Sequence, residues 1–290
     1  MNIDTIAKML FFATVRIDHY GAQGNGFGTG FIMTATLEDG SQCPMLVTNK
    51  HVVDGAQRLV GHFIPRKPGE EVPNLGHGVA VDLPAGPGAY VGHPDPAVDI
   101  AVMPLATTFM PIADQLFIQA IPLSLLATET PSLFVDAIEE VTFVGYPNGY
   151  RDDRHFTPIA RRGITATPIE LDYSGRPVFL IDGSVFGGSS GSPVFLFNQG
   201  TYQSGPNALN IGSRIVLVGI VAETMMRFAE LPVTETAAAT HVKVAQELNL
   251  GVAFNAQAIK EAIEHLVATA GRSLAAATPA PPAPDASTVG

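Results

Sequence analysis

The sequence predicts an all-β protein built as two antiparallel β-barrels followed by one C-terminal α-helix, and three observations carry that prediction. Short runs rich in β-branched and aromatic residues recur at 11–17, 30–37, 45–49, 58–64, 79–83, 100–105, 141–145, 178–181, 193–197 and 215–222, with turn chemistry between them. The 29 glycines and 23 prolines suit many tight turns better than long helices. A chain of 290 residues, 46% of them hydrophobic, can bury one large core or two small ones.

In chain order, residues 1–10 form an N-terminal segment and 11–110 the first barrel. Residues 111–140 connect it to a second barrel at 141–254. Within the first, the stretch 65–96 holds Pro65, Pro68, Pro73, Pro84, Pro87, Pro94 and Pro96, and reads as elaborated loops between strands. The helix spans 255–271: Ile259, Ile263, Leu266, Val267 and Ala270 share one face, Asn255 can cap it and Gly271 can end it. From Arg272 to residue 290, Ala, Pro, Ser and Thr dominate and too little apolar surface is left to offset ordering entropy, so a disordered tail is expected.

Composition narrows the function. A net charge of −11 disfavours nucleic-acid binding, which draws on clustered cations. The one basic concentration, Arg151, Arg154, Arg161 and Arg162, is diluted by Asp152 and Asp153 and reads as a solvated loop. Cys43 is the sole cysteine, so no intrachain disulfide can form. The N-terminus makes a poor signal peptide and no uncharged apolar run reaches about 18 residues, so a cytoplasmic protein with no membrane partner is expected. None of His19, His62, His77, His93, His155, His241 and His265 has metal-ligand spacing, and neither a metal nor another cofactor is expected.

Three segments carry chemistry. Gly187-Gly188-Ser189-Ser190-Gly191-Ser192-Pro193 places serines on a glycine-rich turn whose free N–H groups can stabilise an oxyanion. Leu46-Val47-Thr48-Asn49-Lys50-His51 ends a strand-like run with a histidine, and Val98-Asp99-Ile100-Ala101-Val102 sets a carboxylate at the start of another. A carboxylate entering a buried wall needs a partner, and the imidazole N–H of His51 can be one. Asp95 competes for that role, but Pro94 and Pro96 make it look like a turn residue. Gly187 to Gly191 also fits the G-x-S-x-G elbow of α/β-hydrolases, which would make Ser189 the nucleophile. That frame requires a helix after the serine, then an acid and a histidine; here Ser192-Pro193 and a β-type run follow, with no aspartate before His241.

The order His51, Asp99, Ser190, with the segments VTNKHVV, DIAVM and GGSSGSPVF, resembles bacterial trypsin-like serine peptidases of the chymotrypsin superfamily, which includes the HtrA proteases. Gly28-Thr29-Gly30-Phe31, Val144-Gly145-Tyr146-Pro147 and Val218-Gly219-Ile220-Val221 resemble further family segments. The resemblance implies two six-stranded antiparallel barrels of the chymotrypsin type, with a serine endopeptidase site between them. It makes Ser190 the nucleophile, His51 the base and Asp99 its orienting carboxylate, with the N–H groups of Gly188 and Ser190 as the oxyanion hole. By family spacing the S1 base lies near Ser184, followed by Val185 and Phe186, and Ala222, Glu223 and Thr224 pair with a peptide or protein substrate. A neutral floor implies an uncharged P1 side chain, whereas a one-step shift would bring Asp182 or Glu223 there and favour Lys or Arg.

Two departures from the family pattern matter. Animal enzymes carry aspartate before the nucleophile, to pair with a new N-terminus after activation; Ser189 stands there, and no I-V-G-G sequence is present. Other contacts, or a regulatory protein partner, must therefore order the oxyanion loop. The 24 residues after Leu266 are also too few for the PDZ domain that HtrA proteins carry. The alternative function is a protease-fold module that binds peptides and is inactive, or active only when a partner orders that loop.

Overall fold

Neighbouring residues on the same strand bury their side chains in different cores, and this alternation fixes the architecture. The computed structural model describes residues 2–130, 133–232 and 241–276. Its strands are β1 (Thr14–Gly21), β2 (Gly24–Thr36), β3 (Gln42–Thr48), β4 (Ala56–Phe63), β5 (Val79–Leu83), β6 (Val91–Gly92), β7 (Ala101–Pro104) and β8 (Ile121–Pro122) in the first half. The second half holds β9 (Glu140–Gly145), β10 (Ile159–Thr165), β11 (Val178–Asp182), β12 (Pro193–Gly205), β13 (Ala208–Pro232) and β14 (His241–Asn255). The helices are α1 (Ile6–Ala13), α2 (Lys50–Val53), α3 (Ala106–Phe109) and α4 (Ala256–Thr269).

The second sheet closes as a six-stranded antiparallel barrel in the order β10-β11-β14-β13-β12-β9. The first runs β5-β4-β1-β2-β3-β7-β6, with β8 added parallel to β2, and its two ends are not hydrogen-bonded to each other. It thus departs from six closed strands. The proline-rich stretch supplies both edges, as a five-residue β5 and a two-residue β6, and prolines cannot donate the N–H groups that a closing ladder needs.

On β2, β3 and β7, the side chains of Ile32, Leu46, Ala101 and Met103 fill the first barrel, while Phe31, Met33, Val47 and Val102 point into a core shared with the second. The second barrel repeats the pattern. Phe143, Phe179, Leu196 and Val218 fill its interior, whereas Val144, Leu180, Phe195 and Leu217 join the shared core. Strands buried on both faces read as continuous apolar runs, which is why the sequence shows blocks such as Val194 to Phe197.

Helix α4 packs into the shared core through Ile259, Ile263 and Leu266. Asn255 Oδ1 accepts from the N–H of Ala258 at 3.0 Å, and Gly271, at φ +67°, turns the chain out of the helix. Each of those buried side chains contributes roughly 1.5–3 kcal/mol. Polar ties on the exposed side add orientation: Lys260 Nζ lies 2.7 Å from Glu129, and Glu261 lies 3.1 Å from the buried His93.

Four regions differ from the sequence reading. Residues 11–13 belong to α1 rather than to a strand, because Leu10, Phe12 and Ala13 pack as a helical face, with Phe12 edge-on to Phe117 at 4.9 Å. Arg161 and Arg162 lie on β10 rather than in a solvated loop. Residues 241–255 form β14, which closes the second barrel between β11 and β13. Arg272–Ala276, read as the start of a tail, return to the first barrel, where Leu274 bridges to Leu37 and Ala275 N–H donates to Thr36 at 2.9 Å. The rest of that presumed tail, 277–290, lies outside the described residues.

The shared core makes a direct prediction. Ile263→Ala should lower the unfolding free energy by about 2–5 kcal/mol in urea titration, against within about 0.5 kcal/mol for the exposed Glu264→Ala. Equal effects would mean that α4 rests on the surface rather than in the core.

Candidate active site

The site is assembled where the end of β3, the start of β7 and the loop before β12 meet. Asn49 follows β3 and precedes α2, and its buried Nδ2 donates to the carbonyl of Asp99 at 2.7 Å, tying the two segments. Lys50 reaches across to the carbonyls of His93, Asp95 and Pro96 at 3.2–3.4 Å. These bonds hold Asp99 against the first turn of α2. One Asp99 oxygen accepts from the backbone N–H of His51 at 3.1 Å, and the other lies 2.5 Å from His51 Nδ1. Such a two-point grip fixes the imidazole plane and leaves Nε2 directed away from the carboxylate. Asp95 is occupied elsewhere: its Oδ1 accepts from Ala97 N–H at 2.8 Å in a local turn.

The imidazole opens onto a cleft of about 670 Å³ bounded by His19, by the glycine-rich β1–β2 hairpin through Phe27, and by Asp54. Among the described residues, no three His, Cys, Asp or Glu side chains converge as a metal-holding cluster. No helix there is long and apolar enough to cross a membrane.

The serine loop is fixed peptide by peptide. Gly187 carbonyl accepts from Asn148 N–H at 2.6 Å, Gly188 carbonyl from Thr29 Oγ1 at 2.8 Å, Ser189 carbonyl from Ser192 N–H at 2.9 Å and Ser190 carbonyl from Thr29 N–H at 2.9 Å. Because a trans peptide points its C=O and N–H in opposite directions, anchoring the Gly187 and Ser189 carbonyls sets the Gly188 and Ser190 N–H groups facing the other way. Among the described residues neither N–H meets an acceptor. Ser189, fully buried, closes the turn by donating its N–H to Phe186 carbonyl at 3.0 Å and accepting Phe186 N–H on Oγ at 3.2 Å. A buried hydroxyl already engaged in this way is no nucleophile, so the elbow frame does not fit.

Backbone geometry explains the glycines at two positions. Gly191 has φ +87°, and a Cβ there would stand 1.7 Å from Thr29 carbonyl; Gly188 has φ +79°, and a Cβ would meet Phe27 at 2.5 Å.

Ser190 Oγ donates to the carbonyl of Ala222 at 2.9 Å. Ala222 sits at a bulge in β13, past the last β12 pairing at Pro193↔Ile220, so the 222–224 edge facing the cleft has no strand neighbour among the described residues. Thr224 Oγ1 donates to Val185 carbonyl at 3.3 Å, and Val185 is buried against Gly251. Glu223 pairs with Arg176 at 3.0 Å. At Ser184, exposed at the far end of the loop, the carbonyl accepts from Arg161 Nη1 at 2.6 Å. The structure therefore joins His51 to Asp99, ties Gly188 and Ser190 to Thr29 of the first barrel, and sets Ser184 and Val185 at one end of the serine loop.

Three residues that shape this site carry no role in the sequence reading. Thr29 stands between Gly28 and Gly30, where a Cβ would meet Val52 at 2.6 Å and Leu46 at 2.8 Å. Glycines on both sides within a strand signal close backbone approach, and that signal could have marked Thr29. Asn148, at φ +47° in a Pro-Asn-Gly turn, and Arg161, one of two adjacent arginines, give no comparable pattern.

Thr29 makes a test possible. Thr29→Val keeps the shape but leaves Gly188 carbonyl and Tyr146 N–H, which it accepts at 3.1 Å, without partners. Denaturant unfolding should show a loss of about 1–3 kcal/mol for each group, with Thr29→Ser near wild type. A Thr29→Val protein of unchanged stability would show that these bonds do not anchor the loop.

No curated protein sequence matches the chain. Among solved structures it is similar to the active form of the Rv3671c protease from M. tuberculosis, at 17% identity over 95% of this chain and 86% of that one, with a TM-score of 0.46. It is likewise similar to the serine endoprotease from Yersinia pestis, at 17% identity, 93% and 70% coverage and a TM-score of 0.48. The thermostable serine protease AL20 from an extremophilic microorganism aligns at 13% identity, over 89% and 98% of the chains, with a TM-score of 0.46. The family profile described as the trypsin-like peptidase domain matches residues 28–202, more than half of the sequence and a span that includes the His51, Asp99 and Ser190 segments, so the chain belongs to the trypsin-like peptidase family.

Proposed function

We propose that this trypsin-like peptidase is a serine endopeptidase working through an acyl-enzyme, with Ser190 as nucleophile, His51 as general base and acid, and Asp99 as the carboxylate that orients His51. The observation that carries the reading is the pairing of a gripped imidazole with a serine loop whose Gly188 and Ser190 N–H donors meet no acceptor among the described residues.

The steps follow from the groups in place. Ser190 Oγ attacks the scissile carbonyl carbon while His51 Nε2 takes its proton. The negative charge moves to the carbonyl oxygen, which Gly188 and Ser190 N–H receive. Collapse expels the amine, protonated by the His51 imidazolium. Water, deprotonated by the same imidazole, then attacks the ester and releases the acid. Asp99 accepts a hydrogen bond from Nδ1–H throughout and does not take the proton.

One contact bears on the resting state. Ser190 Oγ is directed at Ala222 carbonyl, an acceptor on the open edge at Ala222 to Thr224. A peptide lying along that edge as an added strand competes for this carbonyl with its own N–H, and so favours the rotamer in which Oγ turns to His51. This supports substrate-assisted readiness. A partner-dependent switch finds less support, since the peptides that flip when such a loop collapses are already anchored by Asn148 and Thr29.

A fluorophosphonate should label Ser190 and fail on Ser190→Ala, and Asp99→Asn should lower kcat/KM by about 10⁴-fold near neutral pH with the fold intact. Asp95→Asn should stay within about tenfold, because a turn residue makes no transition-state contact. Labelling mapped to Ser189, or a near-normal Asp99→Asn enzyme beside a crippled Asp95→Asn one, contradicts the assignment.

A further inference from the structure

Two arginines of the second barrel are buried in opposite circumstances. Arg214 on β13 is fully engaged: Nη2 on Glu139 at 2.8 Å, Nε on Asn198 at 2.8 Å and Nη1 on Phe134 carbonyl at 2.8 Å. Arg161 on β10 has its guanidinium over the Phe143 ring at 4.7 Å and, among the described residues, a single hydrogen bond, from Nη1 to Ser184 carbonyl. Its Nε and Nη2 are shielded from solvent and have no partner.

Those two nitrogens form one edge of the guanidinium, the edge that binds a carboxylate side-on through two parallel hydrogen bonds. Burial without a counter-charge pulls the guanidinium down to about 10, so the cation is held at a cost and an anion arriving there would relieve it. The two carboxylates that sequence spacing could have brought to this place are not available to do so. Glu223 is paired with Arg176, and Asp182 is exposed on β11 opposite Ile164.

We propose that Arg161 determines specificity at this site and that the peptidase cleaves after acidic residues. The P1 carboxylate would displace the Thr224 Oγ1 bond to the Val185 carbonyl, which bridges the Ser184 to Phe186 wall and the Thr224 edge at 3.3 Å, and take the Nε and Nη2 edge of Arg161. This inference rests on the endopeptidase reading for the placement of P1 beside Ser184. It replaces the uncharged P1 side chain that a neutral Ser184 floor implies, because the deciding charge comes from β10, outside the segments that family spacing marks. The position between Ser184 and the Phe143 ring gives Arg161 a role that Arg162 cannot share, since Arg162 faces outward onto Glu140 at 2.7 Å.

The test is a peptide series identical except for Glu, Gln, Leu or Lys at P1. Wild-type enzyme should show kcat/KM for Glu at least about tenfold above Gln, with Lys poorest. Arg161→Gln should bring the Glu to Gln ratio of kcat/KM near one, whatever its absolute rates, and Arg161→Lys should keep a reduced Glu preference. Circular dichroism on each variant checks the fold, and the wild-type series with Arg161→Lys decides if Arg161→Gln does not fold. Preference for Leu or Lys over Glu, or an unchanged ratio in Arg161→Gln, overturns the proposal and leaves the endopeptidase reading standing. If no peptide is cleaved, equilibrium binding of the same peptides ending in Glu or Gln separates the two claims. Tighter Glu binding by about tenfold keeps the Arg161 pocket and sinks catalysis, and equal binding overturns the pocket as well.

Discussion

Everything at the cleft depends on Thr29. It belongs to the first barrel, is fully buried, and spends its three polar groups on holding the second barrel's serine loop and its neighbours. Its N–H takes Ser190 carbonyl, its hydroxyl bridges Gly188 carbonyl and Tyr146 N–H, and its carbonyl accepts from Thr48 Oγ1 at 2.6 Å. The serine loop is thus referenced to the same sheet that leads into His51 and Asp99. In the proposed site, split between two barrels, relative movement would separate His51 from Ser190, and sub-ångström placement is what proximity catalysis requires. A buried threonine with no unmet polar group is a rigid way to supply it.

This arrangement also accounts for the missing aspartate before the nucleophile. Where a carboxylate and a new N-terminus would order the oxyanion loop, Ser189 folds inward to close the turn on Phe186, and Asn148 and Thr29 fix the peptides on either side. Neutral hydrogen bonds stand where the animal enzymes use an ion pair. Around that loop charges are placed sparingly: Arg214 is matched by Glu139 and Glu223 by Arg176, whereas the Arg161 guanidinium has a buried edge without a partner among the described residues.

Much of this was legible in the sequence, and what was not has physical causes. The segments around His51, Asp99 and Ser190 stood out because each lies near a strand end with its own local pattern, and the fold class followed from turn-punctuated apolar runs. The β14 strand escaped because its polar residues break the run, and α1 because Phe11 and Phe12 have strand-like chemistry. Thr29 was visible as part of a G-x-G-F segment without its role, since a hydrogen bond to a residue 159 positions away leaves no local trace. Arg161 was hidden for the opposite reason: beside Arg162 it looks like a solvated pair, and only strand alternation on β10 sends one in and the other out.

The most direct measurement is a structure of the protein after reaction with a phosphonate that mimics the tetrahedral intermediate. The account predicts a bond from phosphorus to Ser190 Oγ and a phosphonyl oxygen at ~3 Å from both Gly188 N and Ser190 N. The Asn148 to Gly187 and Thr29 to Gly188 bonds should be kept, and His51 should remain on Asp99. An adduct on Ser189, or a Gly187–Gly188 peptide turned so that its carbonyl rather than its N–H faces the phosphonyl oxygen, would contradict it.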